Sequence, residues 1–367
     1  MFDHYNLCMD TLTVAPTVAV PQSAPAIKPF RVHAFGGGVQ SLALLLSWSW
    51  DTAMKREWSG PEFYWQGFFA QDDLPDVVMF ADTQREPKSV YKIVEEARHW
   101  SSQSNVPFEV MTAGDLGRPV PAKTGTQGIF TPVFTVATKA STTIEWADRN
   151  GKMYDNPEDV EFDPKFEGPL EKRTKTVRIG DKGQLRRQCT ERYKISLMTK
   201  RAKKLAKGRP IEIWLGFSSD EVERMKPSWD PQITYRYPLV TQGYMDKTDP
   251  ALELTPLGPM SRNDCIRYLR DLEAPTAKSA CTFCPYRNDV SWGFMKANDP
   301  ESFEEACLYD EWVRDKRPGY NCFVHSSRTP LREIEFRAGN PKFLDLGLFA
   351  TAETMEGSGC EDGYCGF

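Results

Sequence analysis

Three consecutive glycines, Gly36 to Gly38, separate two apolar runs near the start of the chain. The run from Arg31 to Phe35 has the length of a buried strand, and the run from Leu42 to Leu46 begins apolar helical spacing. Residues without a Cβ atom let the backbone turn sharply and bring several N–H groups to one anionic oxygen. The following helix directs its positive end to the same point. The stretch predicts a strand, a phosphate-binding loop and a helix; a tight turn without a ligand is the alternative.

The same order of strand, loop and helix occurs a second time. The apolar run from Val77 to Ala81 ends in Asp82, which is typical of a buried parallel strand, and apolar residues recur at helical spacing from Val90 to Ala97. Further strands are predicted at 108–111 and 211–216. Ligands of open α/β sheets bind outside the carboxyl ends of the strands, so polar residues after these strands should share one crevice. The predicted fold class is α/β, with a parallel twisted sheet flanked by helices.

Composition divides the chain into four predicted parts. Prolines at positions 16, 21 and 25 favour an extended arm over residues 1–28. The α/β domain spans 29–260 and contains an insertion at 114–183, rich in Pro, Gly and Thr, which either covers a site or forms a surface excursion. A cysteine-bearing helical module is predicted at 261–330 and a tail at 331–367.

The charge of the chain is distributed unevenly. Residues 172–209 contain fifteen Lys or Arg and two acids, although the whole chain has a net charge of −5. This segment is either an anion-binding face, suited to a nucleic acid, or a solvated helix. The sequence has no run of 18 apolar residues and no basic N-terminus followed by an apolar stretch. We therefore expect no membrane partner, no signal peptide and a cytoplasmic location.

The cysteines give a second signal. Nine cysteines, an odd number, argue against a disulfide framework and for reduced thiols that bind metal or perform redox chemistry. Four thiolates can hold zinc tetrahedrally or a [4Fe–4S] cluster, whereas a Cys-x-x-Cys pair by itself is also typical of a redox pair. The predicted metal ligands are a Cys-x-x-Cys pair followed by proline and two upstream residues: Cys281, Cys284, Cys265 and Cys189.

Three ordered motifs resemble the PP-loop superfamily of adenine-nucleotide α-hydrolase-fold proteins, and within it the branch similar to phosphoadenosine-phosphosulfate (PAPS) reductases. They are Gly36–Ser41, Phe80–Glu86 and Gly216–Arg224, and the resemblance covers about residues 30–290. It implies a PP-loop or HUP-like sheet that binds an adenine nucleotide, ATP or PAPS, with Mg²⁺ as a further cofactor. The cysteine patterns resemble iron–sulfur members of this branch, which favours a [4Fe–4S] cluster over zinc.

The resemblance also implies roles for single residues. The glycine loop would surround the phosphates, Asp82 would lie near the nucleotide or its metal, and Arg224 would lie near phosphate or sulfate oxygens. The residues predicted to contact the nucleotide are Gly36, Gly37, Gly38, Gln40, Ser41, Asp82, Arg85, Glu86, Gly216, Asp220, Glu221 and Arg224.

One loop position departs from the family pattern. PP-loop ATP pyrophosphatases usually have an acid before the final serine of the loop, where this chain has Gln40. Glutamine cannot supply the charge that helps to hold Mg²⁺. It is more similar to the PAPS reductases, which bind an adenine nucleotide without cleaving ATP. Asp82 and Glu86 remain as metal ligands, so cleavage of ATP is not excluded.

The Gly-rich end of the chain carries two more thiols. Cys365 and Gly366 resemble the Glu-Cys-Gly tail whose thiol attacks the sulfonucleotide in the reductases. Cys365 is therefore a predicted catalytic residue, together with Asp82. The alternative is a chain end with incidental cysteines, since Glu361 and Asp362 would raise the pKa of a nearby thiol and weaken it as a nucleophile.

Three functions are consistent with these patterns. The first is a PP-loop enzyme that adenylates an acceptor, such as tRNA or DNA bound at residues 172–209, for iron–sulfur-assisted sulfur transfer from a thiol or sulfur-donor protein. The second is a sulfonucleotide reductase in which Cys365 attacks sulfur. The third is a non-catalytic protein that binds a nucleotide and a cluster. Gln40 favours the second function, and the basic segment favours the first.

Overall fold

A computed structural model describes residues 27–54, 74–118, 128–149, 153–154, 168–241, 259–277 and 279–336. Most of the predicted arm at 1–28 and of the predicted tail at 331–367, including Cys365, lies outside the described residues. No helix in the described ranges is long and apolar enough to cross a membrane.

The described elements alternate strands and helices in the first and third quarters of the chain. The strands are β1 Phe30–Phe35, β2 Val77–Asp82, β3 Phe108–Thr112, β4 Phe134–Ala137, β5 Ser141–Ala147, β6 Met153–Tyr154, β7 Glu171–Val177, β8 Lys182–Gln184, β9 Ile211–Leu215, β10 Ile233–Arg236 and β11 Tyr320–Phe323. The α-helices are α1 Val39–Met54, α2 Lys88–Gln103, α3 Ser196–Ala206, α4 Pro238–Thr241, α5 Arg262–Asp271, α6 Asp289–Asn298 and α7 Pro300–Val313. Shorter turns are a π-helical turn at Glu191–Ile195 and 3-10 turns at Ser219–Arg224 and Leu331–Glu333.

The central sheet has five strands in the order β10, β9, β1, β2, β3, and every neighbouring pair is parallel. This confirms the predicted α/β class with a parallel sheet flanked by helices. The chain moves outward from β1 to β2 and β3, and then returns to the other side of β1 through β9. The order therefore reverses between β1 and β9, where the crevice of a doubly wound sheet lies.

Each face of the sheet packs against its own helices. On one face, the apolar side of α1, including Leu42 and Trp48, packs with α2 and with Ile266 and Leu269 of α5. On the other face, Ala202 and neighbouring apolar residues of α3 cover β1, β2 and β9. Both faces of the strands are thus buried, which explains why the strands read as continuous apolar runs.

A third core joins two parts that the sequence separates widely. Phe130 and Val133, from the predicted insertion, pack with Phe283 and Trp292, from the predicted cysteine-bearing module. Strand β4 pairs antiparallel with both β8 and β11, so the insertion and residues 320–323 form one small sheet. This packing fixes the Cys281 region beside the segment that leads to Cys189.

Strands β6, β5 and β7 form a separate antiparallel sheet, which we call the ribbon. Residues 171–176 of β7 and 141–144 of β5 are all exposed. Only the end of β5 is buried, at Ala147. The ribbon thus extends from the body with both faces of its β5 and β7 strands in solvent.

Candidate functional site

The glycine loop lies between β1 and α1, as predicted. Gly37 has a φ of +71°, and a Cβ atom there would lie 2.8 Å from Val90 Cγ1, so the turn requires glycine. Ser41 closes the loop, because its Oγ accepts a hydrogen bond from Gly38 N at 3.1 Å and donates one to the Gly38 carbonyl oxygen at 3.0 Å. The loop is therefore held in one shape before any ligand binds.

The end of β9 contacts this loop directly. A Cβ atom on Gly216 would lie 2.9 Å from both Ser41 N and Ser41 Cα. Backbone cannot move aside as a flexible side chain can, so only glycine allows β9 and the loop to approach at the point where the strand order reverses. The structure thus brings the first and third sequence motifs together.

Residues after β9 form a hydrogen-bonded group beside the loop. Glu221 Oε2 accepts a hydrogen bond from Gln40 Nε2 at 3.3 Å, and Arg224 forms an ion pair with Glu221. The Arg224 guanidinium carbon lies 4.3 Å from the centre of the Phe217 ring. The buried Nε of Arg224 has no hydrogen-bond partner in the part of the chain that the structure describes. Asp220 lies on the other side of the turn, where its Oδ1 accepts from the Arg262 backbone N–H at 3.0 Å. Gln40 and Arg224, both predicted nucleotide ligands, are joined through Glu221.

Asp82 ends β2 at the same edge of the sheet. Its Oδ1 accepts hydrogen bonds from the backbone N–H of Gln84 at 2.7 Å and from the Tyr91 hydroxyl at 2.9 Å. Burial, together with the Asp82 carboxylate, raises the pKa of Tyr91, so its hydroxyl remains a hydrogen-bond donor. Asp82 is thus a carboxylate oriented by two donors at the carboxyl end of a central strand.

Arg85 contacts protein carboxylates in the structure, and its contact with a nucleotide stays a prediction. Its guanidinium is paired with Asp115 and with Glu305 of α7, and a Cβ atom on Gly117 would lie 2.7 Å from its Nε. These contacts tie the end of β2 to the segment after β3 and to α7. The carboxylates of Asp115 and Glu305 neutralise the positive charge of Arg85, which the sequence analysis assigned to nucleotide binding.

Three cysteines line one cavity beside the second motif. Cys189, Cys281 and Cys284 share this cavity with Glu86 and Lys194, and we call it the thiol chamber. Cys281 and Cys284 are hydrogen-bonded to each other, which raises the pKa of Cys281 and lowers that of Cys284. Burial raises the pKa of Cys189. The chamber therefore contains thiols in unequal electrostatic environments.

A buried carboxylate and a partly buried ammonium complete the chamber. Glu86 has 5% of its surface exposed; its Oε1 accepts from Thr83 Oγ1 at 3.1 Å and lies 3.7 Å from Lys194 Nζ. Its Oε2 is buried and has no hydrogen-bond partner among the described residues. Burial opposes the charge of Lys194, but Glu86 and the chamber cysteines outweigh it and raise its pKa. An unpaired carboxylate oxygen is costly to bury, which favours a ligand that donates to it.

Sequence reasoning did not identify Lys194, because the feature that distinguishes it is a turn of the backbone and not a residue pattern. Lys194 follows Cys189 by five residues and lies in a π-helical turn, Glu191–Ile195. In such a turn the backbone repeats at i to i+5, so residues at this spacing share a face. π-helical turns also occur frequently at functional sites.

Two contacts connect the chamber to the rest of the site. Ser279 Oγ donates a hydrogen bond to the carbonyl oxygen of Gly36, and a Cβ atom on Gly38 would lie 3.1 Å from Ser279 Cβ. Thr282 N donates to the Arg85 carbonyl oxygen at 2.7 Å. The segment that carries Cys281 is therefore bound to the glycine loop on one side and to the loop after β2 on the other.

Cys265 does not lie in the chamber. It is fully buried in α5, within the core that α1 and α5 share, whereas Cys189 and Cys281 contact the third core. Burial, followed by the nearby carboxylates of Asp220 and Asp264, strongly raises the pKa of its thiol. The predicted set of four cysteines is thus divided into three and one. Across the described residues, no three His, Cys, Asp or Glu side chains converge as ligands of one metal ion.

Comparisons with family models, with curated proteins and with solved structures found no match to this chain.

Proposed function

We propose that this protein is a PP-loop enzyme of sulfur chemistry, which binds an adenine nucleotide and adenylates an acceptor for iron–sulfur-assisted sulfur transfer. The observation that carries the proposal is the hydrogen bond from Ser279 Oγ to the carbonyl oxygen of Gly36. Ser279 is two residues before Cys281 in the chain. This contact makes the glycine loop and the thiol chamber neighbours at one edge of the sheet. Activation by a nucleotide and attack by sulfur need such proximity, because the activated acceptor must meet the sulfur before water does.

The glycine loop supplies the groups for the nucleotide. Backbone N–H groups from Gly36 to Gly38 and the positive end of α1 are suited to phosphate oxygens. Ser41 and Gly216 keep the loop in place. Asp82, held by Gln84 and Tyr91, is suited to Mg²⁺, which prefers one or two carboxylates together with phosphate oxygens.

We favour an iron–sulfur cluster over a zinc ion in the thiol chamber, because the cysteine patterns resemble those of iron–sulfur members of the PP-loop family. A structural zinc ion needs its sulfurs about 2.3 Å from one point, whereas a cluster takes each thiolate at a separate iron atom. Cys189, Cys281 and Cys284 line the walls of one cavity. Lys194 and the buried guanidinium of Arg287, which donates to the Ala280 carbonyl oxygen at 2.7 Å, offset the negative charge of thiolates. These three cysteines would hold the cluster, which when bound supplies an iron that can carry or deliver sulfur.

Lys194 and Glu86 would then act on the acceptor and not on the nucleotide. The Lys194 ammonium can stabilise negative charge that develops on an attacked carbonyl or leaving oxygen in this buried setting. The unpartnered Oε2 of Glu86 can accept a hydrogen bond from an N–H or O–H group of the acceptor. Together they would orient the acceptor between the glycine loop and the chamber.

The proposal is tested on protein purified without air. Iron, zinc and sulfide are counted, and the protein is incubated with ATP, Mg²⁺ and either mixed tRNA or duplex DNA. We expect iron and sulfide with a brown colour, and formation of AMP and pyrophosphate with one of the nucleic acids. Absence of pyrophosphate under all these conditions would contradict adenylation, because adenylation releases pyrophosphate before sulfur displaces AMP, and zinc in place of iron would contradict the cluster.

Gln40 supports a second candidate, a sulfonucleotide reductase. Its side-chain amide donates hydrogen bonds to Glu221 at 3.3 Å and to Ser218 at 3.5 Å, and so stabilises the loop after β9. PP-loop pyrophosphatases have an acid at this loop position. The predicted nucleophile Cys365 lies outside the described residues. Release of sulfite from PAPS in the presence of a dithiol tests this candidate, which requires that Cys365→Ser abolish the release.

A further inference from the structure

The ribbon combines three features that suit a phosphate backbone. Its β7 strand carries Lys172, Arg173 and Lys175, and the turn and strand that follow add Arg178 and Lys182, all exposed. Hydroxyl side chains alternate with these cations on paired strands, as in the facing residues Thr142 and Thr176. Lys, Arg, Ser and Thr are the side chains that most often donate to phosphate oxygens of nucleic acids.

Three exposed cations on the ribbon or shortly after it in the chain form no ion pair with any described residue. Arg173 pairs with Glu171 at 3.2 Å and Lys175 with Glu145 at 2.9 Å, and both are exposed pairs of little energetic value. Lys172, Arg178 and Lys182 form no ion pair with any described residue. Their charges are therefore available to a partner.

The other half of the basic segment uses part of its charge in ion pairs with the protein body, although Lys200, Lys204 and Lys207 also form no ion pair with a described residue. On and after α3, three cations contact carboxylates of the protein body: Arg201 with Glu109, Lys203 with Asp230, and Arg209 with Asp76. These pairs attach α3 to the central sheet. The excess positive charge of residues 172–209 thus lies partly on the exposed ribbon and partly on α3. Some of the α3 cations form ion pairs that stabilise the fold.

The ribbon also leads toward the thiol chamber. From Lys182 the chain runs through β8 to Arg187 and Cys189, both of which line the chamber. Cys189 is seven positions after Lys182, so at most about 25 Å of extended chain lies between them. The major groove of B-form DNA, about 12 Å wide, admits a two-stranded antiparallel ribbon.

We infer that the ribbon, and not α3, is the surface that binds a nucleic acid, through its phosphates, beside the thiol chamber. The inference rests on the proposed function, since it assigns a docking surface to the acceptor of that reaction. An acidic protein would meet the same charges, but the alternating hydroxyl groups and the width of the ribbon favour phosphates. The sequence just before β7, residues 155–167, has six acids and one Lys, so the inference concerns the described strands and is tested on the full chain.

The test compares two neutralised variants with the same change in net charge. The ribbon variant and the α3 variant each replace three exposed cations by glutamine: Lys172→Gln, Arg178→Gln and Lys182→Gln, against Lys200→Gln, Lys204→Gln and Lys207→Gln. Fluorescence anisotropy measures binding of a labelled 30-base-pair duplex DNA, its single strand and a tRNA at several salt concentrations. Calorimetric titration with ATP is run in parallel on each variant.

We expect the ribbon variant to bind the preferred nucleic acid at least tenfold more weakly, with the slope of log affinity against log salt reduced by about 2 to 3. The α3 variant should stay within about twofold of the wild type. Equal losses in both variants, an unchanged ribbon variant, or no binding by the wild type would overturn the inference. If one of these outcomes occurs while the ribbon variant binds ATP like the wild type, the inference about the ribbon fails and the proposed nucleotide site is unaffected.

Discussion

At the scale of single residues, Cys265 illustrates what spacing can and cannot predict. Cys-x-x-Cys spacing correctly indicated that Cys281 and Cys284 lie together. It could not indicate which core an upstream cysteine joins, because that depends on the packing of a whole helix. Cys265 shares the apolar side of α5 with Ile266 and Leu269, and this side packs on α1. The helical spacing of Cys265, Ile266 and Leu269 would have predicted that Cys265 lies in the core.

A comparison of two cysteine substitutions tests this assignment. We expect Cys281→Ala to lose most of the bound iron, because a cluster without one of three cysteine ligands is weakly held. Cys265→Ala should keep the iron content of the wild type and lose only stability, by about 1 to 2 kcal/mol, as a small cavity forms in the core. Iron analysis and chemical denaturation of anaerobic protein measure both effects. Loss of iron in Cys265→Ala would mean that α5 moves to bring this thiol to the cluster.

At the scale of elements, the apolar periodicity of the sequence predicted the centre of the fold well. The predicted strands at 108–111 and 211–216 correspond to β3 and β9, each within one residue at either end. Strand β10 was missed, because Ile233–Arg236 is a short edge strand in which only Ile233 is buried. The pairing of β4 with β11 was also beyond prediction, because it joins residues almost two hundred positions apart and leaves no local pattern.

The link between α7 and the segment after β11 gives a prediction about stability. Asp310 is 1% exposed and accepts hydrogen bonds from Val324 N at 2.7 Å and Leu331 N at 3.1 Å, besides its ion pair with Arg314. Asp310→Ala would leave two buried N–H groups and a cation without their acceptor. We expect the free energy of unfolding to fall by about 3 kcal/mol.

The matched control is Asp315→Ala, just beyond the end of the same helix. The Asp315 side chain is 82% exposed and lies 3.8 Å from Lys316. Its replacement should change stability by less than about 0.5 kcal/mol. Urea denaturation followed by tryptophan fluorescence compares the two variants. Equal stability of Asp310→Ala and the wild type would show that water replaces these contacts without cost.

At the scale of the whole molecule, the three cores meet around the edge of the sheet that carries the glycine loop. The first two cores hold β1 and β9 side by side, and the third core holds the Cys281 segment against Gly36. The sequence motifs indicated which residues belong to the loop. Only the packing of the insertion against the last described elements reveals that the loop and the thiols are neighbours.

Calorimetric titration of the anaerobic protein with ATP and Mg²⁺ tests the central claim most directly. Wild-type protein should bind one ATP per chain and no GTP. Gly216→Val should lose this binding, because its Cβ would fall 2.9 Å from the Ser41 backbone and displace the loop. Ser41→Ala, which removes the hydrogen bonds to Gly38 without a clash, should bind about fivefold to tenfold more weakly and keep the fold. Absence of ATP binding by the wild type, or unchanged binding by Gly216→Val, would contradict a nucleotide site at this loop.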